Sequence, residues 1–173
     1  FHVISAHTGT GFATVSSSEL LQWGGLAFAG ITLAMALGGM ASSTAGGVKS
    51  LRIGLALKML KDQVKAVLLP DRAVVSQAYY QGGRKRLTPV LAQAVLLVSL
   101  LYVALYLTGA VVGLAYGYPL QDALFESVSA SANVGLSVGI TSPSMPVALE
   151  VTYMLQMWLG RLEFVAVFAL FGF

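Results

Sequence analysis

From Val90 to Tyr116 the chain runs for 27 residues without a charged side chain. About 20 apolar residues suffice for a helix to cross a hydrocarbon core roughly 30 Å thick. Two further apolar stretches, 20–48 and 145–173, stand on either side of it. The whole chain is 57% hydrophobic and 10% charged, where a soluble domain carries roughly 45–50% and about 25%. A domain of about 150 residues buries only some 70% of its extended surface. So much apolar side chain in 173 residues therefore needs lipid as part of its solvent. Disorder is excluded by the hydrophobicity, and a disulfide scaffold by the absence of cysteine.

The charges that remain are sorted by position. Nine of the ten Lys and Arg residues lie between Lys49 and Arg86, against the acids Asp62 and Asp71, a local balance of +7. A basic loop between apolar segments marks a cytoplasmic connection. The flanking spans argue against a nucleic-acid-binding patch. With 49–86 inside, segment 20–48 enters from outside, 88–116 returns, and 145–173 runs inward. Glu19, Asp122, Glu126 and Glu150 then form an acidic outer rim, which would raise the local cation concentration. The chain starts at Phe1 without a basic n-region or cleavage site, and is expected to be a piece of a longer polypeptide.

Residues 1–18 are short, mixed and rich in Gly, Thr and Ser. After the apolar run Leu20–Leu37, the ten residues from Gly38 to Gly47 contain four glycines and three hydroxyls and will not stay helical by propensity. At membrane depth, non-helical backbone is tolerated only where protein or a water path surrounds it. The stretch is either a functional break or a kink packed with small residues. Val48–Lys65 predicts an amphipathic helix with Leu51, Leu55 and Met59 on one face. Pro70 and Gly82-Gly83 mark turns. Thr88-Pro89 opens the next helix as cap and first residue, and Gly109, Gly113 and Gly117 give it a packing face. Leu120–Ala132 is too short to span. With Asp122 and Glu126 in its first turns and Asn133–Gly139 after it, it predicts a re-entrant helix whose C-terminal end favours a cation.

Residues 4–12 and 128–136 match at an offset of 124, with Ser5/Ser129, Ala6/Ala130 and Gly11/Gly135 identical. The repeating unit is helix, pore loop, helix. The same offset sets Gly38 on Leu162, so Arg161 lies at the depth where the glycine-rich break begins. Charges at that depth face a water cavity or pair with each other. Arg161 either faces a permeation path while Glu163 anchors local structure, or pairs with Glu163 in packing.

Taken in order, Ser5–Phe12, Gly38–Arg52, Ser129–Ser137 and Gly160-Arg161-Leu162-Glu163 resemble motifs of the Trk/Ktr/HKT superfamily of potassium transporters, in particular the membrane subunit of bacterial Trk or Ktr systems. They look like its third pore loop, its intramembrane gating loop, its fourth pore loop and the signature of its last core helix. The resemblance implies an all-α membrane protein with four helix–pore–helix repeats around one pore, of which about 1.7 are present. The third repeat would occupy residues 1–65, a basic cytoplasmic loop 66–87, and the fourth repeat 88–173. It also implies a homodimer in the bacterial inner membrane, seated on a cytosolic nucleotide-binding regulatory ring.

Potassium would be the transported ion, dehydrated by inward carbonyls of Thr8, Gly9, Thr10, Gly11 and Phe12 and of Asn133, Val134, Gly135, Leu136 and Ser137. Gly11 and Gly135 would supply the bends. Gly38, Gly39, Ser42, Ser43, Thr44, Gly46 and Gly47 would form the gate, with Arg161 adding an electrostatic barrier. No organic cofactor and no enzymatic activity are expected. His2 and His7 lack metal partners in sequence, and Gly46–Ser50 fails the spacing of a phosphate loop. The rival readings are a non-conducting membrane scaffold or truncated accessory subunit, and a secondary transporter with broken helices.

Overall fold

The computed structural model describes residues 1–40, 43, 45–68, 78–80, 82–170 and 172, with the backbone alone for 163, 165 and 168. Helix α1, His2–Thr8, stops where Gly9 turns left-handed at φ 72°. Helix α2, Ser17–Leu21, starts on a capping box in which the Ser16 hydroxyl and the Glu19 carboxylate satisfy each other's backbone N–H. Helix α3, Gly25–Ala36, is followed by the two-residue strands β1, Leu37–Gly38, and β2, Val48–Lys49. Then come α4, Ser50–Leu68; the strands β3, Ala78–Tyr80, and β4, Arg84–Arg86; α5, Pro89–Ala115; α6, Leu120–Ser131; and α7, Val147–Leu170.

Seven helices hold 66% of the described residues. The expectation of an all-helical chain is corrected in two places. Strands β1 and β2 pair in parallel, Leu37 with Val48 and Gly38 with Lys49. Strands β3 and β4 form an antiparallel hairpin through the basic segment. The amphipathic helix also begins two residues later than Val48 and runs three past Lys65, to Leu68. The expected turn at Pro70 lies outside the described residues.

Helix α5 is the one helix, among the described residues, long and apolar enough to cross a membrane by length and composition. Its start obeys local rules: the Thr88 hydroxyl accepts from Leu91 N–H and Pro89 takes the first helical position. At 1.5 Å per residue α5 is about 40 Å long and α7 about 36 Å. Helix α3, with 12 residues, reaches about 18 Å and cannot cross a 30 Å core by itself.

The short helix α6 lies at the centre, packed by α3, α5 and α7. Phe125 is fully buried, its ring 4.7 Å from that of Phe28 on α3. Gly109 and Gly113 let α5 approach: a Cβ at Gly113 would stand 2.8 Å from that of Ala123, and the space at Gly109 is taken by Ser127 and Gln156. Gly117 is different. It lies past the helix end in open space with φ 86°, so the packing face has two glycines rather than three. Leu55 of α4 buries against Leu87 and Val95, flanked by Leu51 and Met59, which is the apolar face expected for that helix.

Candidate functional site

Each of the two short helices α1 and α6 ends in a glycine turn, and the turns share one backbone plan. The Thr10 N–H donates to the Ser5 carbonyl at 3.0 Å, and the Val134 N–H to the Ser129 carbonyl at 3.0 Å. Gly9 and Asn133 are both left-handed, at φ 72° and 55°, and Gly11 and Gly135 both have positive φ, 74° and 89°. These are the same positions at an offset of 124. Glycine reaches such angles without Cβ strain, and asparagine is among the few other residues that tolerate them. Thr8 closes α1, its hydroxyl bonded to the Ile4 carbonyl at 2.8 Å, so the turn itself begins at Gly9.

The turns meet each other and the break after α3. A Cβ on Gly11 would collide with the Val134 carbonyl oxygen. Gly9 lies against Ala45, where a Cβ would stand 3.0 Å from the alanine's own. The Gly46 N–H donates to the Ala132 carbonyl at 3.0 Å, and the Gly46 Cα faces the same peptide so closely that a Cβ there would stand 2.7 Å from its oxygen. On the other side, a Cβ at Gly160 would overlap the Ser131 carbonyl. The structure therefore brings 9–12, 133–135, 45–46 and Gly160 together at the C-terminal end of α6. Arg161, next to Gly160, is exposed on the described chain. Ser42, Thr44 and the Glu163 side chain lie outside the described residues.

The break is built rather than loose. Gly38 has room only because it is glycine, since a Cβ would meet the Gly46 carbonyl. The Gly39 carbonyl accepts from Ser50 N–H at 3.2 Å, and the Ser43 hydroxyl accepts from Ala45 N–H at 3.0 Å. Lys49 is 6% exposed. Its ammonium donates to the carbonyls of Ser43 and Ala45, both at 2.6 Å, so it fastens the loop from inside. A buried ammonium is tolerable only when its protons are taken up, and two loop carbonyls take up two of the three.

Further supports come from polar groups inside apolar helices. Tyr106 donates to the Ala36 carbonyl at 3.2 Å, and Tyr102 to the Gly160 carbonyl at 3.1 Å. Gln156 of α7 donates to the Leu105 carbonyl at 2.6 Å and to the Ser127 hydroxyl at 3.0 Å. The Asn133 amide reaches the Met157 carbonyl at 3.2 Å. Glu126 was expected on an acidic outer rim, but it is 3% exposed and turned inward. It accepts from the Ser137 hydroxyl, from Val138 N–H at 3.0 Å and from the Thr141 hydroxyl at 2.8 Å. Beside the second turn lies a cavity of about 370 Å³ lined by Ser129, Asn133, Gly135, Ser137 and Tyr153 among others. The buried hydroxyls of Ser129 and Tyr153 have no hydrogen-bond partner among the described residues.

Sequence reasoning placed Lys49 in the stretch that resembles the gating loop, without its contacts, and missed Glu126, Tyr102, Tyr106 and Gln156 as parts of this site. The signal was present for each. A hydroxyl, amide or charge inside an apolar or small-residue helix needs a partner, and the partners here are backbone groups of the break, the turns and the neighbouring helices, with the hydroxyls of Ser127, Ser137 and Thr141.

The geometry defines a class: a helical protein with one long membrane-compatible helix, in which short helices end in glycine turns around a shared point, braced by hydroxyls and a buried lysine. The sequence matches the TrkH family, described as cation transport protein, over residues 1–172, and the chain belongs to that family. It is 33% identical over 172 residues to an uncharacterized cation transporter of Methanocaldococcus jannaschii, covering 99% of this chain and 35% of that protein. It is 30% identical over 177 residues to the Trk system potassium uptake protein TrkI of Halomonas elongata, covering 98% of this chain and 34% of that protein. The chain thus spans about a third of the length of these curated relatives. Proteins of the TrkH family are membrane proteins.

Proposed function

We propose that the chain contributes two adjacent sides of a pathway for uptake of monovalent cations, potassium foremost, across the plasma membrane. The turns Thr8–Phe12 and Asn133–Ser137 would present carbonyls to the ion. The segment Gly38–Gly47 would close the path beneath them, with Arg161 at its edge. The observation that carries the reading is the seating of the break on the turns. Gly46 N–H holds the carbonyl of Ala132, the residue immediately before the second turn. A segment held there would be positioned to act as a gate. The potassium uptake named for the Halomonas elongata relative supports the choice of ion.

The remaining sides of the path would come from other repeats of the same transporter, two of which would pair as a homodimer on a cytosolic nucleotide-binding ring. The basic segment 49–86 would face that ring and the anionic inner leaflet. The test is rubidium uptake into liposomes holding the complete transporter, in competition with potassium and with sodium. Selective inhibition by potassium is expected. Gly135→Ser should weaken it, because the new side chain has space but not the backbone freedom for φ 89°. Folded protein that passes no cation would overturn the pathway and leave the scaffold reading.

A further inference from the structure

The two glycine turns have a second tie in common, carried by residues of different chemistry. At the offset of 124, Glu126 corresponds to His2 and Val138 to Thr14. The Val138 N–H donates to the Glu126 carboxylate at 3.0 Å. The Thr14 N–H donates to His2 Nε2 at 3.2 Å. In each copy, then, a side chain of the short helix, three residues before Ser5 or Ser129, captures the backbone N–H of the residue leaving the glycine turn. The entry of each turn is already fixed by the carbonyl of Ser5 or Ser129 on the same helix. Both ends of the five residues 10–14 and 134–138 are therefore anchored to one rigid element.

We infer that His2 and Glu126 are matched positioning residues, each setting the width of its turn by holding the exit N–H. This rests on the turns being the ion path proposed above. Neither group is placed to meet an ion itself. The carboxylate of Glu126 is occupied by three donors, Ser137 and Thr141 hydroxyls as well as Val138 N–H. The Nε2 of His2 that accepts from a backbone N–H carries no proton, so Nδ1 carries it. The His2 ring is packed edge-on against Trp23, with centroids 5.0 Å apart. What the two side chains share is an acceptor at one place, not a charge. The span they fix holds the carbonyls that would replace an ion's water, and such coordination depends on the spacing and dipole strength of those carbonyls.

The experiment is the potassium-over-sodium preference of rubidium uptake by the complete transporter in liposomes. His2→Ala and Glu126→Ala remove the acceptor, and each should lower the preference several-fold, the scale of one hydrogen bond lost, with the larger loss at the buried Val138 N–H. His2→Glu installs the acceptor used in the other copy and should restore the preference. Glu126→Gln should keep it, because the amide oxygen still accepts and the Thr141 hydroxyl can reverse to accept from the amide nitrogen. Unchanged preference in His2→Ala overturns the inference. So does failure of His2→Glu and Glu126→Gln to differ from alanine. Should Glu126→Ala not reach the membrane, the half-exposed His2 pair decides alone. An unaltered transporter with no selective flux overturns the pathway first and this inference with it; selective flux with unchanged variants overturns this inference only.

Discussion

The helix that follows the first glycine turn stops at Ala36, whereas the helix that follows the second passes through the same register, Gly160, and continues to Leu170. Their support from α5 is alike. Tyr106 and Tyr102, one helical turn apart, hold the carbonyls of Ala36 and Gly160 at 3.2 and 3.1 Å. The break is therefore decided by what comes next. Leu37-Gly38-Gly39 leads into small residues with poor helix propensity, and its return is fixed by the β1–β2 pairing and by Lys49. At the equivalent place α7 carries Arg161-Leu162, which continues a helix readily. Two copies of one plan thus differ by a few residues, and the opening proposed for the broken one would not require a long helix to unwind.

The largest test of this contrast is Gly160→Val. The unbroken helix presses on the Ser131 carbonyl at that glycine, so the valine should cost about 3 kcal/mol or more, read as loss of monodisperse protein and a fall in Tm. The cognate change on the broken side, Ala36→Val, should be milder; equal losses would erase the distinction. Next comes Lys49→Met. Each charge-assisted bond to a loop carbonyl is worth about 1.5–3 kcal/mol, but the buried ammonium's desolvation cost disappears with it. Tm should change little while rubidium uptake rises several-fold. Unchanged uptake would remove the lysine as the tether of the break. Arg161→Ala on the unbroken side should also ease passage.

A smaller effect separates the two tyrosines. Tyr102→Phe and Tyr106→Phe each lose a hydrogen bond worth about 1 kcal/mol, so both should lower Tm by a similar amount. Only Tyr106→Phe frees a carbonyl at the break and should alter uptake. Smallest is the capping box before α3, which the other copy lacks because Ile140 and Pro143 stand at the positions of Ser16 and Glu19. The Ser16 backbone N–H, and then its hydroxyl, hold the Glu19 carboxyl below its ordinary range. A lowered folded value means the contribution is present above the unfolded carboxylate value and lost as pH falls through the lowered one. The protection factor at Leu20, its exchange rate relative to the intrinsic rate at the same pH, should therefore fall in acid, and Glu19→Gln should abolish that dependence while leaving flux unchanged.

Much of this was legible in local pattern. Thr88-Pro89 set the start of α5, the glycines from 38 to 47 marked the break, and the Ser-Ala match at an offset of 124 pointed to the two turns. Local rules failed where a residue's role depends on a distant partner. Lys49 fell within the stretch that resembles the gating loop, but its contacts were not legible, because nothing in sequence shows that the chain folds back over it. Glu126 read as outer because its height along a short helix was inferred from topology, while its direction is set by Ser137, Val138 and Thr141. The strands β1 and β2 are two residues each, too short for any periodic signal.

The hydrogen bond from Gly46 ties the Ala132 carbonyl to the seated loop. If the loop leaves in the proposed pathway, a second state with that oxygen released would stand beside the seated one. Any solute that binds more tightly to the released state drives the loop off, and removal of the loop strengthens that solute's binding by the same factor, since such linkage is reciprocal.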